Sequence, residues 1–176
     1  LLQQTGRLME AEEMHRAGLR TAEEKLGPKH PQTLVFINNL ASVLTSMEKL
    51  VEAEKLIRKA YALSKKSLGP GHPDTRSRAG NLAILLERRH QMEEANNLYL
   101  EAVSGVDDTP EEHVHPYTWR YMTVYANFLE KWGRTDEAIE RCRKALGAQQ
   151  RTLGDDHPHT RESQKVMSWI ARTRDK

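Results

Sequence analysis

The sequence predicts an all-α solenoid built from antiparallel helix pairs, and three observations indicate this fold class. The dipeptide His-Pro occurs at residues 30, 72, 115 and 157, so successive steps lie 42, 43 and 42 residues apart. Each step lies between helix-breaking and helix-starting residues, and apolar residues recur at helical spacing between the steps. A fixed period of this size is typical of stacked repeats, in which each unit buries its apolar face against its neighbours.

The joint between units has the pattern Leu-Gly-x-x-His-Pro-x-Thr. It is intact at residues 26–33, 68–75 and 153–160, and it is reduced to His-Pro-x-Thr at 115–118. The glycine can take the left-handed conformation that ends a helix, and the proline suits the first helical position, where its missing N–H costs nothing. The histidine precedes that position, so we expect its ring nitrogen to cap the new helix.

The predicted elements follow from these joints in chain order. A first helix over 7–25 carries apolar or small residues at three-and-four spacing. The next helices are predicted over 31–47, 50–67, 73–89, 92–104, 116–132, 135–152 and 158–173, about seven to eight in all. We expect one solenoid domain over 1–176, divided into a half repeat (1–27), three repeats (28–69, 70–112, 113–154) and a closing helix (155–176). Since the first unit begins in mid-repeat, we expect the chain to be a fragment of a longer one.

Large and small residues coincide when the units are aligned on their His-Pro steps. Small residues at fixed points let the paired helices approach closely, and large residues fill the space around that contact. The small positions are Ala41, Ala83 and Ala126 on the first helix, then Ala53, Ala95 and Ala138, and Ala60, Ala102 and Ala145 on the second. The large residue before the first set is Leu40, Leu82 or Tyr125.

This pattern resembles the tetratricopeptide repeat. The longer period, the joint, and the runs Asn38-Asn39-Leu40-Ala41 and Glu52-Ala53-Glu54 look like the kinesin-light-chain subtype of that family. The resemblance implies a right-handed α-solenoid that acts as a non-catalytic protein-interaction scaffold and grips a peptide segment in its concave groove.

Composition disfavours several classes of function. Net charge is +2, with 27 basic and 25 acidic residues mixed along the chain, and no basic run offers a footprint for nucleic acid. No apolar stretch approaches the length of a membrane span. The single cysteine, Cys142, fits a reducing compartment, so we expect a cytoplasmic protein.

The residues that could carry chemistry are better explained by structure. Packed helices lie about 8–10 Å apart, whereas zinc ligands must each lie about 2 Å from the ion, so the four joint histidines cannot share one metal. The local pairs His113/His115 and His157/His159 could chelate only weakly. Cys142 occupies a repeat core position, and no phosphate loop, GxSxG or HExxH motif is present. We therefore predict no enzyme activity, no catalytic residues, no cofactor and no metal.

The resemblance implies which residues line the inner surface. Asparagine amides there can both donate to and accept from a peptide backbone, and basic side chains can hold a carboxylate. The predicted peptide-binding residues are Asn38, Asn39, Asn81, Arg88, Arg120, Asn127, Lys131 and Lys165. The expected partner is a protein or peptide, partly acidic.

The sequence also fits a second interpretation. The chain could be a regulatory or sensor arm of a larger protein, for example one linked to an NTPase, that works through self-association or autoinhibition. Terminal helices would then form a homo-oligomer, with apolar residues of the closing helix as the contact: Val166, Met167, Trp169 and Ile170.

Two further features depart from the plain repeat. Residues 106–114 carry four acids around Thr109-Pro110, and we expect an exposed loop, either a tolerated insertion or a hinge or partner contact. The third repeat holds six of the ten aromatic residues of the chain. We expect Tyr117, Tyr121, Tyr125, Phe128 and Trp132 to pack in the core and Trp119 to be an exposed anchor.

Overall fold

The computed structural model describes the backbone of residues 2–174 and the side chains of residues 6–111 and 113–173. Within that range it consists of eight α-helices, one short 3₁₀ turn and no strand, which confirms the all-α class. The helices are α1 (Leu2–Leu26), α2 (Pro31–Ser46), α3 (Leu50–Leu68), α4 (Pro73–Arg88), α5 (Met92–Ala102), α6 (Pro116–Lys131), α7 (Thr135–Leu153) and α8 (Pro158–Arg174). The predicted outer limits at residues 1 and 176 lie outside the described part, and the division into repeats stays a prediction.

Each joint histidine caps the helix that follows it. The Nδ1 atom accepts a hydrogen bond from the backbone N–H two residues on, at 3.2 Å for His30, 3.1 Å for His72, 3.3 Å for His115 and 3.2 Å for His157. This bond satisfies one of the amides that a helix start leaves without an intrahelical partner. The predicted capping role is confirmed at all four joints.

The joint glycines end the preceding helices in a different way from the one expected. Gly69 has φ 88° and ψ 163°, and Gly154 has φ 83° and ψ 165°. The positive φ was expected, but the left-handed helical region lies near ψ 47°, so the predicted conformation is wrong in ψ. Gly69 precedes Pro70, and the residue before a proline is driven to extended ψ values, but Gly154 precedes Asp155 and takes nearly the same ψ, so a following proline is not required for it. The chain therefore leaves the helix in an extended direction, in a region open essentially only to glycine.

The chain divides into two compact units, Leu1–Leu98 and Tyr99–Lys176, which are described separately. In the first unit the predicted small positions are buried, with Ala41 at 3% exposure and Ala53, Ala60 and Ala83 at 0%. Around them pack the large apolar side chains Leu34, Ile37, Leu40, Leu44, Ile57, Leu82, Leu85 and Leu86. The interdigitation of large and small residues that the repeat pattern predicted is confirmed there.

The core of the second unit is aromatic. The Tyr99 ring lies 5.3 Å from that of Tyr125 and 5.1 Å from that of Phe128, measured between centroids. These are favourable separations for aromatic pairs. Helix α7 packs against α6, and its small residues Ala138 and Ala145 are fully buried.

The exposure of the α6 aromatics differs from the prediction at three positions. Trp119 is only 3% exposed, so its assignment as an exposed anchor is wrong, whereas Tyr117 is 56% and Trp132 42% exposed. Helix α6 packs against both α7 and α8, so two of its faces are buried where a single stripe was expected. Tyr117 is the second residue of α6, and Trp132 directly follows its last residue, so both exposed aromatics lie at the ends of the helix.

The acidic loop is anchored at both ends. Val106 and Val114 are 4% and 9% exposed, so the loop's termini belong to the core of the second unit. Between them, Asp107 pairs with Lys144 of α7, and Glu111 pairs with Arg151 at 2.6 Å. The Arg151 guanidinium holds the pKa of the Glu111 carboxyl below its usual value. The expected exposed loop is therefore exposed only in its middle.

Candidate peptide-binding surface

Two of the predicted binding residues meet directly in the first unit. The side-chain Nδ2 of Asn81 on α4 donates to Oδ1 of Asn38 on α2 at 2.9 Å. Both side chains are half-buried, and so is that of the adjacent Asn39. Within the described chain, the Asn39 amide and the Asn38 Nδ2 make no hydrogen bond. They can donate to a ligand, and the Asn39 oxygen can accept from it.

Arg88 is already engaged inside the protein. Its Nη1 donates to the backbone oxygen of Thr45 at 2.6 Å and to Oε1 of Glu48 at 3.0 Å. The guanidinium therefore ties the end of α4 to the end of α2. A ligand carboxylate at this position would have to compete with Glu48.

A buried hydroxyl cluster holds α8 against α6 and α7 in the second unit. The Thr123 and Ser163 hydroxyls lie 2.6 Å apart, and the Ser163 hydroxyl donates to Oε1 of Gln149 at 2.5 Å. The three residues are at most 2% exposed, so their polar atoms satisfy one another where water does not reach. Thr123 is an inner-surface position by repeat register, and the structure shows that it serves packing.

The buried thiol of Cys142 is part of the same packing. Its Sγ lies 3.5 Å from the backbone oxygen of Ser163, to which it donates. Burial raises the pKa of the thiol to about 11, since a thiolate would lose its hydration. The prediction of a buried structural cysteine is confirmed.

Three of the remaining predicted binding residues of the second unit are cations. Arg120 is half-buried with its guanidinium carbon 5.5 Å from the centre of the Tyr121 ring, and Lys131 and Lys165 are exposed. Within the described part of the chain, Arg120 and Lys165 pair with no carboxylate. The half-buried Asn127 is joined to no other predicted binding residue by a hydrogen bond.

His159 at the start of α8 lies near one of these cations. Burial is the largest cause of its lowered pKa, and the charge of Arg120 adds to it. The Glu162 carboxylate, 3.9 Å from His159 Nδ1, acts in the opposite direction. Protonation of His159 would add a second positive charge near that of Arg120.

An ion-pair clamp that was not predicted joins the second helices of successive repeats. Arg16 on α1 contacts Glu12 at 2.8 Å and Glu52 on α3 at 2.7 Å, and Lys49 contacts Glu12 at 2.7 Å. Hydrogen bonds from Lys49 and Arg16 hold the pKa of the Glu12 carboxyl below its usual value. The clamp ties the first helix to the next repeat.

The clamp recurs one repeat later. Arg58 on α3 contacts Glu54 at 2.8 Å and Glu94 on α5 at 2.5 Å, and it lowers the pKa of Glu94. The signal was present in the sequence as Glu-x-x-x-Arg at 12–16 and 54–58, 42 residues apart. These charges lie on helix exteriors, as predicted, but they join repeats as well as being solvated.

A cavity of about 620 Å³ lies beside the first clamp. It is lined by Glu13, Arg16, Ala17, Leu19, Arg20, Glu23, Leu40 and Leu56. None of the eight predicted binding residues is among them, so the predicted inner surface lies outside this cavity. A peptide can bind along exposed polar atoms on stacked helices without an enclosed volume.

The described residues offer neither a metal cluster nor a membrane span. Among them, no group of three or more His, Cys, Asp or Glu side chains is close enough to hold a metal ion. No helix within the described range combines the length and apolar character needed to cross a membrane.

Comparison with known proteins gives the family. Two family models, both described as tetratricopeptide repeat, match residues 33–106 in one case and residues 1–32 and 122–159 in the other. Together these stretches cover most of the chain. The chain belongs to the tetratricopeptide repeat family. A search of curated proteins finds no match.

Solved structures of two other proteins share the fold of this chain. One is the crystal structure of the Podosopora anserina putative kinesin light chain with nearly identical TPR-like repeats. It has a TM-score of 0.74 and 24% identity, and the alignment covers 98% of this chain and 82% of that one. Another is BtubC (BKLC) from P. vanneervenii, with a TM-score of 0.71, 19% identity, and 87% and 60% of the two chains covered.

These matches confirm the predicted solenoid class and, at the level of the fold, the likeness to kinesin-light-chain repeats. Tetratricopeptide repeat solenoids are typically non-catalytic scaffolds for protein–protein interaction, and this chain has that fold.

Proposed function

We propose that this tetratricopeptide repeat chain binds a partly acidic peptide segment on the inner surfaces of its helix pairs and works as a non-catalytic scaffold. The observation that carries the proposal is the Asn38–Asn81 hydrogen bond. It fixes the Asn38 side-chain amide and leaves its Nδ2 without a hydrogen-bond partner in the described chain, so this group can donate to a ligand. An ordered donor costs less entropy to engage than a mobile one.

The Asn39 side chain is the second amide that we expect to form hydrogen bonds with the backbone of a bound peptide. An extended peptide alternates N–H and C=O groups, and a side-chain amide can bond to one of each. Asn38 would add a donor one residue away, on the same helix. Such contacts recognise any peptide backbone, so side-chain specificity has to come from elsewhere.

The preference for acidic residues rests on the second unit. Arg120 and Lys165 have no carboxylate partner among the described residues, and the Lys165 side chain is exposed. Uncompensated cations raise the association rate of an acidic ligand and weaken in effect as salt screens them. Binding should therefore depend on ionic strength.

Peptide selection from a random display library, panned on the purified chain, supplies the probe. Fluorescence anisotropy then measures the affinity of the selected peptide for the wild type and for two double variants. Asn38→Ala with Asn39→Ala removes two hydrogen-bonding amides, so a loss of about tenfold or more is expected. Arg120→Ala with Lys165→Ala should weaken binding most at low salt.

The matched control is Lys59→Ala with Lys66→Ala, which removes two exposed charges from α3, outside the predicted surface. Unchanged affinity in the Asn38/Asn39 variant and in the Arg120/Lys165 variant would refute the inner-surface assignment. Loss in the α3 control alone would place the binding site on the other side of the helix pair.

Self-association is the second candidate function, and α1 favours it. Met9 and Met14 are 53% and 63% exposed there. The predicted contact on α8 is smaller than expected because Ile170 is fully buried inside the second unit. Light scattering over a wide concentration range, repeated with Met14→Glu, tests this. A chain that stays monomeric throughout would exclude assembly through α1.

A further inference from the structure

One proline of the chain is not explained by the repeat. Six of the seven prolines belong to the joints, where they follow glycine or histidine: Pro28, Pro31, Pro70, Pro73, Pro116 and Pro158. The seventh, Pro110, lies in the acidic loop and follows Thr109. No other serine or threonine in the sequence precedes a proline. A Thr-Pro step therefore occurs once, at the place where the period is one residue longer.

The loop presents this step in an accessible form. Thr109 is half-buried, and its hydroxyl donates to the backbone oxygen of Gly105 at 2.7 Å in an exposed hydrogen bond. Pro110 has φ −52° and ψ 137°, which is extended backbone, and residues 107–109 belong to no helix. Exposed segments without regular structure are where modifying enzymes gain access to a chain.

We propose that Thr109 is a phosphorylation site for a proline-directed protein kinase, and that the phosphate loosens the middle of the acidic loop from α7. The γ-phosphoryl group of ATP would be transferred to Thr109 Oγ1. The bond between the γ-phosphorus and the bridging oxygen breaks, a bond from phosphorus to Oγ1 forms, and ADP leaves. The hydroxyl proton goes to the catalytic base of the kinase.

The charges around Thr109 give the direction of the effect. A phosphate adds about −1.5 to −2 at neutral pH, and it would stand between Asp107 and Asp108 on one side and Glu111 on the other. The modified oxygen can no longer donate to Gly105. Both changes act against the present conformation of the loop.

Weak contacts hold the middle of the acidic loop against α7. Among the side chains that the structure describes, the ion pairs Asp107–Lys144 and Glu111–Arg151 tie the loop to α7. The four side chains are 33–76% exposed, and ion pairs at the surface contribute little to stability. The buried Val106 and Val114 hold the ends, so loosening should be confined to residues 107–113.

The first test is phosphate incorporation into the whole chain. The purified protein is incubated with ATP and a recombinant proline-directed kinase, and the modified position is located by mass spectrometry. Phosphate is expected at Thr109, none in Thr109→Ala or Pro110→Ala, and retention in Thr109→Ser. Thr152→Ala is the matched control, because Thr152 also donates to a backbone oxygen, that of Ala148 at 2.8 Å, but precedes no proline.

Two outcomes of this test would overturn the site. One is equal incorporation into Thr109→Ala. The other is a native chain that stays unmodified while a synthetic peptide of residues 103–116 is phosphorylated, which would mean that the fold shields the threonine.

The second test follows the loop by hydrogen exchange. Amides of residues 107–113 should exchange faster in the phosphorylated chain, and those of α3 should not change. Lys144→Ala with Arg151→Ala should speed both exchange in the loop and phosphorylation, because it removes both ties. Arg58→Ala, which breaks an exposed clamp elsewhere, should do neither. Unchanged loop exchange after phosphorylation would refute the loosening.

Discussion

The turn between the two helices of a repeat has the same left-handed position three times, occupied by different residues. Glu48 has φ 60°, His90 φ 58° and Gly133 φ 76°. At the last two, the backbone N–H donates to the carbonyl three residues earlier at 3.0 Å. Only the third repeat has glycine, the residue that takes this conformation without steric cost.

Two opposing contributions determine how an exchange at this position changes the free energy of unfolding. A non-glycine residue in the left-handed region costs about 1–2 kcal/mol, and glycine costs about 0.4–1 kcal/mol more entropy on folding than alanine. His90 is exposed, so little else is lost in His90→Gly, and we expect a net gain of about 0.5–1 kcal/mol. No atom lies within 4 Å of a Cβ built on Gly133, so Gly133→Ala should lose a similar amount through conformation alone.

Urea unfolding followed by circular dichroism measures both variants. His90→Ala separates the two causes, because it removes the imidazole and keeps a Cβ at a positive φ, so its stability should match the wild type. A His90→Gly variant no more stable than His90→Ala would refute the argument from φ. So would a Gly133→Ala variant with an unchanged free energy of unfolding.

Three further predictions concern the joints and the second unit. His72→Ala should lower the free energy of unfolding by about 1 kcal/mol, because the backbone N–H of Asp74 loses its cap, and His72→Asn should recover most of it. Cys142 should stay unmodified by a thiol-specific dye at pH 8 in the native chain, since it is buried with a pKa of about 11, and react fully once the chain is unfolded. His159 has a lowered pKa, so the neutral form is the one that favours folding. Its contribution should be present above about pH 6.5, the usual histidine value, and be lost as the pH falls through its folded pKa.

Each of these has a result that would count against it. Equal stabilities of His72→Ala and His72→Asn would mean that the ring nitrogen is not the stabilising group. Rapid labelling of Cys142 under native conditions would show that the α7–α8 contact opens readily. A pH dependence of unfolding identical in wild type and His159→Gln would assign the acid sensitivity to other groups.

Much of the fold follows from local sequence. The joints place helix ends within a few residues, because Gly and Pro act on the backbone where they occur. The four capping histidines were predicted correctly for the same reason, since the donor lies two residues away. The small positions such as Ala53 and Ala60 were found because the repeat shows them more than once.

The errors and gaps concern contacts between residues far apart in sequence. Trp119 was assigned to the surface because one helical stripe was expected, whereas α6 packs on two sides. Ile170 was assigned to an interface and is buried within the second unit. The sequence did not predict the hydrogen bond between Asn81 and Asn38, which lie 43 residues apart. It also did not predict that Arg88 donates to Thr45 and Glu48 of the same chain.

The sequence by itself determined the repeat period, the helix ends, the caps and the family resemblance, since these depend on backbone conformation and on hydrogen bonds over a few residues. The tertiary structure decided which of the predicted binding amides and cations are left without an internal partner. Availability depends on which side chains about one repeat apart come within hydrogen-bonding distance, and only the packing of neighbouring helices sets that distance.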